Sequence, residues 1–290
     1  MTFKAKVWRC ILSVFGRAPL YSTLKHPNRK HEHKFPKKLF KEFDVTFSKY
    51  DKCVCYSISK KGNAKSKKHL IYLHGGAYAM QIVHWQWKTV HKIAKKSNVT
   101  IDVFIYELSN PNHTVYKQNF DALEKFYDTL DGNWISILGD SAGGGMAVSF
   151  SKYLRDKKKK LPNHLFLVDP WINMVDNGHL TKKDFNEKDT YLKYDDCQTS
   201  IEWYTHGEDP HGWMFSPLYV DFKGFPPVLL IISTHEIIYN DLKTFYEKLK
   251  GSHVDVTKMT YKELFHDFFL FDIEESDEVL DKICGIINKS

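Results

Sequence analysis

The sequence lacks long apolar runs and has few cysteines, five among 290 residues. No run reaches the roughly eighteen apolar residues of a membrane-spanning helix, so we expect no transmembrane segment. The cysteines form no C-x-x-C pair and no Cys/His group with zinc spacing, which argues against a structural metal site. Reduced thiols in a cytoplasmic protein are the simplest prediction.

Internal repeats, low-complexity linkers and nucleic-acid-binding motifs are also absent. The formal net charge is +7, but the lysines occur in short groups such as Lys157–Lys160, without interleaved stacking aromatics. This pattern favours a solvated basic surface over a nucleic-acid partner.

The N-terminal residues weakly resemble a signal peptide, because Lys4, Lys6 and Arg9 precede the apolar stretch Cys10–Phe15. That stretch is short, and no A-x-A-like cleavage site follows it. We expect an amphipathic helix that covers part of the domain, with no stable membrane insertion.

The hydrophobic pattern predicts eight strands, and helix-type segments separate most of them from the third onward. The predicted strands are residues 45–47, 54–58, 70–73, 101–106, 134–138, 165–168, 228–232 and 254–259. Such alternation is typical of an α/β fold with a mostly parallel sheet and helices on both faces. The first strands have no helices between them and should form an antiparallel edge.

Two regions interrupt this alternation, residues 1–44 and about 172–215. The second separates two strands by far more than a usual short connection. We predict one main domain, residues 45–290, with a small helical cap formed by the N-terminal segment 1–44 and the insertion 172–215.

A G-x-S-x-G pentapeptide at Gly139–Gly143 directly follows the apolar run Trp134–Leu138. A serine on a sharp strand-to-helix turn has a strained backbone, and neighbouring Cβ atoms would collide there, so glycines are needed. The pentapeptide alone is a weak signal because it arises easily by chance. In this position it predicts that Ser141 is a nucleophile.

A second turn, His74–Tyr78, follows the strand Leu70–Leu73 in the same way. Both turns should lie at the carboxyl edge of the sheet, where ligands bind in such folds. Paired glycines allow backbone N–H groups to face a small anion, as an oxyanion hole requires. We predict that Gly75 or Gly76 supplies one N–H and Ala142 another; a tight glycine turn without this role is the alternative.

A serine hydroxyl is a weak nucleophile near neutral pH and needs a histidine base that a carboxylate orients. Of the 15 histidines, only His253 and His266 lie beyond the loop that follows the seventh strand, where the chain order Ser, acid, His places the base. His253 begins the last strand, whereas His266 lies in a loop after it. His266 is therefore the predicted base.

Two carboxylates follow the seventh strand, Glu236 and Asp241. Glu236 is close to the strand end. Asp241 is at the predicted start of the next helix, where an acidic residue commonly interacts with the helix dipole. Glu236 is the predicted triad acid, and Asp241 is the alternative.

These segments together resemble the hormone-sensitive-lipase-like family of α/β-hydrolases, which are carboxylesterases. The similarity covers about residues 45–290 and includes His74–Gly76, Gly139–Gly144, Phe215–Tyr219, Phe225–Pro227 and His266–Phe268. Asp169–Trp171 is similar to the family's Ser-Pro-Trp segment, and Tyr106–Pro111 to its Tyr-Arg-Leu-Ala-Pro segment. The resemblance implies the α/β-hydrolase fold with a cap built from the two irregular regions.

The sequence departs from the family pattern at three places. Ala77 replaces the third glycine of His-Gly-Gly-Gly, Glu236–Ile238 replaces the usual Asp-Pro-Leu, and Glu107 replaces the arginine of Tyr-Arg-Leu-Ala-Pro. The alanine also occurs among esterases of ordinary acyl esters, so the predicted oxyanion hole remains compatible with it.

The resulting prediction is a serine carboxylesterase that hydrolyses short- to medium-chain esters through an acyl-enzyme, with no metal or organic cofactor. An arylformamidase or another amide hydrolase would use the same residues. A non-catalytic ligand-binding protein, as in the plant gibberellin receptors that resemble this family, is disfavoured by the complete set of Ser141, Glu236 and His266. The oligomeric state stays open, a homodimer included, because no segment marks an interface.

Overall fold

The computed structural model describes residues 1–15, 18–26, 34–62, 67–175, 187 and 189–290. Both predicted cap segments, 1–44 and 172–215, are therefore described in part. Their remaining residues lie outside the described ranges.

An eight-stranded sheet forms the centre of the protein, with the strand order β1-β2-β4-β3-β5-β6-β7-β8. The strands are β1 Phe43–Tyr50, β2 Cys53–Lys60, β3 Lys68–Leu73, β4 Thr100–Ile105, β5 Trp134–Asp140, β6 Leu165–Val168, β7 Val228–Ser233 and β8 Val256–Tyr261. β2 pairs antiparallel with β1 and with β4, and all other pairs are parallel. The predicted strands and the antiparallel edge are confirmed.

Helices cover both faces of the sheet in the described part of the chain. They are α1 Phe3–Phe15, α2 Ala18–Lys25, α3 His84–Lys96, α4 Tyr116–Tyr127, α5 Ser141–Asp156, α6 Tyr194–Thr205, α7 Tyr239–Gly251 and α8 Glu274–Lys289. None of these described helices is long and apolar enough to cross a membrane. The five cysteines are free thiols.

The central strand β3 shows how the two cores arise. Ile71 and Leu73 belong to the core that also contains the apolar residues of α4, α5 and α7. Leu70 and Tyr72 point the other way, into the core formed with α3 and α8. Successive side chains alternate between the faces of a strand, so a strand covered on both sides is apolar throughout.

The N-terminal helices pack on the carboxyl-edge side of the molecule. Trp8 of α1 contacts the rings of Trp85 and Phe271, with centroid distances of 5.6 and 5.0 Å. α2 packs against α6, which belongs to the predicted cap insertion.

The turn from β5 into α5 is packed so closely that it requires glycine. A Cβ on Gly143 would lie 2.0 Å from the carbonyl oxygen of Leu73, and one on Gly139 would lie 2.4 Å from the carbonyl oxygen of Gly143. Both obstacles are backbone atoms, which cannot rotate away. These glycines allow α5 to begin directly beneath the end of the neighbouring strand β3.

We predict that Gly143→Ala destabilises the fold by about 1–3 kcal/mol or more, because the added methyl group overpacks this contact. Gly285→Ala in α8 is the matched control, since no atom lies within 4 Å of its added Cβ. That control should gain about 0.5–1 kcal/mol through the reduced entropy of the unfolded chain. Urea unfolding of both variants measures the difference, and equal stabilities would contradict the packing argument.

Candidate active site

Ser141 is the first residue of α5 and directly follows the last residue of β5. Its φ is 48°, in the left-handed region that non-glycine residues rarely adopt. The carbonyl oxygen of Ser141 accepts a hydrogen bond from the Trp171 N–H at 2.8 Å, which helps to hold the turn. This geometry presents the hydroxyl at the carboxyl edge of the sheet, as in a nucleophile elbow.

His266 lies in the loop between β8 and α8, and its two ring nitrogens contact the other two predicted residues. Nε2 is 2.8 Å from Oγ of Ser141. Nδ1 is 2.5 Å from Oε2 of Glu236. All three side chains are almost fully buried. Three segments that are far apart in sequence thus form one continuous hydrogen-bonded chain.

The alternative residues occupy other positions. His253 is exposed and precedes β8, at the opposite end of the strand from His266. Asp241 lies in the first turn of α7, where its Oδ1 accepts a hydrogen bond from Nδ2 of Asn173 at 3.2 Å. Asp241 also lines the cavity, whereas Glu236 is the carboxylate that contacts His266.

The predicted oxyanion-hole residues differ in the availability of their N–H groups. The N–H of Gly75 donates to Oδ2 of Asp140 at 2.9 Å, so this donor is occupied. Gly76 lines the cavity next to Ser141, with a φ of 128°. Ala142 is the second residue of α5, and the first N–H groups of a helix have no partner within the helix. Gly76 and Ala142 are the candidates that remain.

Asp140 connects the serine turn to the glycine turn. Its carboxylate accepts hydrogen bonds from the Tyr72 hydroxyl at 2.5 Å, the Gly75 N–H at 2.9 Å and Nε2 of Gln86 at 2.9 Å. Three donors around a fully buried carboxylate offset the cost of removing its charge from water. Asp140 therefore fixes residues 74–76 relative to Ser141.

Asp169 has the corresponding role for the histidine loop. Its carboxylate accepts hydrogen bonds from the N–H and hydroxyl of Ser233, both at 2.7 Å, and from the N–H of Asp267 at 3.0 Å. Asp169 thereby connects the ends of β6 and β7 to the residue that follows His266.

Asp189 joins the predicted cap insertion to the loop that carries Glu236, called the acid loop. Its Oδ1 accepts from the N–H groups of Tyr191 and Leu192 at 2.7 and 2.9 Å, and its Oδ2 accepts from the N–H of Ile237 at 3.2 Å. Ile237 directly follows Glu236, so this contact holds the acid loop in place. The sequence did not predict the roles of these three aspartates, Asp140, Asp169 and Asp189, because nothing in their local patterns shows which distant N–H groups they contact.

Burial and neighbouring charges act on the two ionisable partners of the site. Burial lowers the pKa of His266, and the charges of Asp169, Asp189 and Asp140 oppose this effect. Burial raises the pKa of Glu236, and Asp169 and Asp189 add to the increase. The hydrogen bond from Nδ1–H favours the charged carboxylate against this trend. The lowered pKa keeps the His266 imidazole unprotonated near neutral pH, which is the form that can accept a proton.

A cavity of about 200 Å³ opens above Ser141 and His266. Apolar side chains from α2, the segment after β6, α6 and the loops that precede α7 and α8 form much of its wall. They include Leu20, Trp171, Met174, Cys197, Ile201, Ile238 and Leu270. Polar side chains that also reach the cavity include Gln86, Asn173, Gln198, Asp241 and Asp267. Of the seven tryptophans, all of which lie in the described part of the chain, Trp171 lines this cavity.

Within the described residues, one group has the geometry of a metal site, namely Asp169, His266 and Asp267, whose candidate ligand atoms lie within 4.8 Å of one another. Asp169 already accepts three hydrogen bonds, and both ring nitrogens of His266 are hydrogen bonded. These atoms are used by protein partners, so the group does not fit a metal ion well.

Comparison with known proteins identifies relatives of this chain. A family model described as the alpha/beta hydrolase fold matches residues 70–270. An esterase from Acinetobacter venetianus is 27% identical over 219 residues, which cover 73% of this chain and 71% of that protein. An acetyl-hydrolase from Streptomyces hygroscopicus is 26% identical over 203 residues, 68% of this chain and 67% of that protein.

Solved structures show the same fold at lower identity. An esterase/lipase from an uncultured bacterium has a TM-score of 0.80 and 20% identity, with 100% of this chain and 99% of that chain covered. An esterase of the bacterial hormone-sensitive lipase family has a TM-score of 0.74 and 21% identity, with 94% and 98% covered. The fold and the family resemblance predicted from sequence are confirmed.

Proposed function

The chain belongs to the alpha/beta hydrolase fold family, and on that basis we propose that it is a serine carboxylesterase with Ser141, His266 and Glu236 as its triad. The observation that carries the proposal is the hydrogen-bonded chain from Oγ of Ser141 through His266 to Glu236, at 2.8 and 2.5 Å. The names of the two curated relatives, esterase and acetyl-hydrolase, agree with this reaction class.

In the first half of the reaction, Nε2 of His266 accepts the hydroxyl proton while Oγ of Ser141 attacks the ester carbonyl carbon. Glu236 holds the imidazole through Nδ1 and stabilises the imidazolium that forms. The tetrahedral intermediate collapses, the ester C–O bond breaks, and His266 returns the proton to the leaving alcohol. Water then attacks the acyl-enzyme with the same histidine as base, which releases the acid and restores Ser141.

The oxyanion of the tetrahedral intermediate needs fixed N–H donors beside Ser141. Gly76 and Ala142 are our proposed donors, because Gly75 already donates to Asp140. Gly76 lines the cavity, and a Cβ there would lie 2.5 Å from the carbonyl oxygen of Met80. Asp140 contributes indirectly, since it holds the turn that carries Gly76.

The cavity favours small acyl groups. Its volume of about 200 Å³ is below the roughly 300–1,000 Å³ of pockets for drug-sized ligands. Apolar side chains such as Met174 and Ile201 suit a short- to medium-chain acyl group. We propose that the segments 1–44 and 172–215 act as the cap, because Leu20 of α2 and Ile201 of α6 both line this cavity.

Replacement of the proposed nucleophile tests the mechanism. Ser141→Ala should lower kcat for p-nitrophenyl acetate and butyrate by on the order of 10⁴ to 10⁶, because no acyl-enzyme can form. Ser151→Ala is the matched control: Ser151 is buried in the same helix, where its hydroxyl bonds to the Ala147 carbonyl oxygen. The control should keep near-normal turnover. Full activity of Ser141→Ala would exclude this mechanism.

The identity of the acid is tested by a pair of amide substitutions. Glu236→Gln should lower kcat by about 10⁴, since the amide no longer favours the required imidazole tautomer. Asp241→Asn removes a nearby carboxylate at the cavity wall and should leave kcat within about tenfold of the original value. The reverse ranking in steady-state kinetics would assign the acid to Asp241.

A further inference from the structure

Exposed apolar side chains are concentrated on the N-terminal helix α1. Phe3, Val7, Ile11, Val14 and Phe15 are between 42% and 80% exposed. Positions 3, 7, 11 and 14 recur every three or four residues, so they share one face of the helix. Together with Phe15 they form an apolar stripe of five residues.

The opposite face of α1 is firmly attached to the protein. Ala5 and Leu12 are buried, and Trp8 packs against Trp85 and Phe271. The N–H of Thr2 donates to Oε1 of Glu275 at 2.6 Å, and the Arg9 guanidinium donates to the carbonyl oxygen of Glu263 at 3.3 Å. The helix is therefore held in an orientation that presents the apolar stripe to solvent.

The N-terminal segment that carries the stripe is strongly positive in sequence. Residues 1–41 contain eleven lysines and arginines and one acidic residue, Glu32. The whole chain has 42 basic and 35 acidic residues, so residues 42–290 hold 31 and 34 and are slightly acidic. The positive net charge of the protein thus resides entirely in its N-terminal segment.

Two of these cations, Lys4 and Lys6, are exposed on α1 itself. Two acidic side chains next to the helix, Glu275 and Asp272, contact other groups, and Asp272 also interacts with Lys4. Glu275 binds Thr2, and Oδ1 of Asp272 lies 3.0 Å from Nζ of Lys92. An external anionic surface would therefore meet a basic helix with an apolar face.

We propose that α1 docks the protein on the surface of an anionic phospholipid bilayer, with the apolar stripe at the boundary between headgroups and acyl chains and the lysines on the anionic phosphates. Apolar area combined with basic residues is the combination that interfacial helices use. The helix stays on the surface and does not span. Because α2 follows α1 and places Leu20 at the cavity, docking also brings the pocket close to the bilayer.

Vesicle co-flotation without any ester substrate tests this proposal independently of catalysis. The protein should float with phosphatidylcholine vesicles that contain about 30 mol% phosphatidylglycerol, and bind pure phosphatidylcholine at least about tenfold more weakly. Two multiple variants should each lower the affinity for anionic vesicles at least about tenfold. They are the triple serine variant Phe3→Ser/Val14→Ser/Phe15→Ser and the double charge-reversal variant Lys4→Glu/Lys6→Glu. Binding should also weaken when salt is raised, because screening shortens the range of the charges.

Phe47→Ser on β1 is the matched control, since Phe47 is an exposed aromatic residue outside the N-terminal segment. It should bind vesicles normally, and all variants should keep the activity of the parent toward a soluble ester. Equal binding to neutral and anionic vesicles, or no binding to either, would overturn the proposal. If the parent protein forms a dimer and does not bind vesicles, and the triple serine variant loses that dimer, the stripe is instead an interface with a second copy of this chain.

Discussion

The contacts that align the histidine with the serine centre on one buried carboxylate, Asp169. It holds the end of β7 through Ser233 and the histidine loop through the N–H of Asp267. Each of these loops supplies one partner of the hydrogen-bonded chain, since Glu236 follows β7 and His266 precedes Asp267. Direct contacts reinforce this link, since the Ser233 hydroxyl donates to the Phe265 carbonyl oxygen at 3.0 Å and the His235 N–H donates to the Leu264 carbonyl oxygen at 2.9 Å.

A second constraint acts on the other side of the site, where Ser141 adopts its left-handed backbone conformation. That conformation is costly for a residue with a Cβ, and close packing around it provides the compensation. Gly143 lies against the end of β3, and Asp140 binds the N–H of Gly75. The strained turn and the glycine turn are therefore one unit, in which the position of Gly76 depends on the same carboxylate that precedes Ser141.

The burial that makes these contacts strong also sets the protonation state of the site. Several carboxylates surround His266, and their charges favour its protonated form, but burial has the larger effect and lowers its pKa. A site with fewer buried contacts would leave the imidazole closer to its ordinary pKa of about 6.5. The closed environment thus connects packing to the proposed chemistry, because burial favours the unprotonated imidazole.

Much of the fold could be predicted from sequence because periodicity is a local property. The apolar runs such as Leu70–Leu73 marked the strands, and the order of Ser141, Glu236 and His266 along the chain followed from the order of the strands. The occupied N–H of Gly75 and the roles of Asp140 and Asp169 could not be predicted. They depend on hydrogen bonds between loops that are far apart in sequence, and no spacing rule specifies such contacts. The apolar stripe was also missed, because the sequence indicated an amphipathic helix without showing which face would be covered.

Covalent labelling tests most directly whether Ser141 is an activated nucleophile. After reaction with a fluorophosphonate, peptide mapping by mass spectrometry should find one adduct, on Ser141, formed in parallel with loss of esterase activity. His266→Ala should react far more slowly, since the base is absent. Complete inactivation with the adduct on another residue, or an unlabelled Ser141 in an active preparation, would contradict the account.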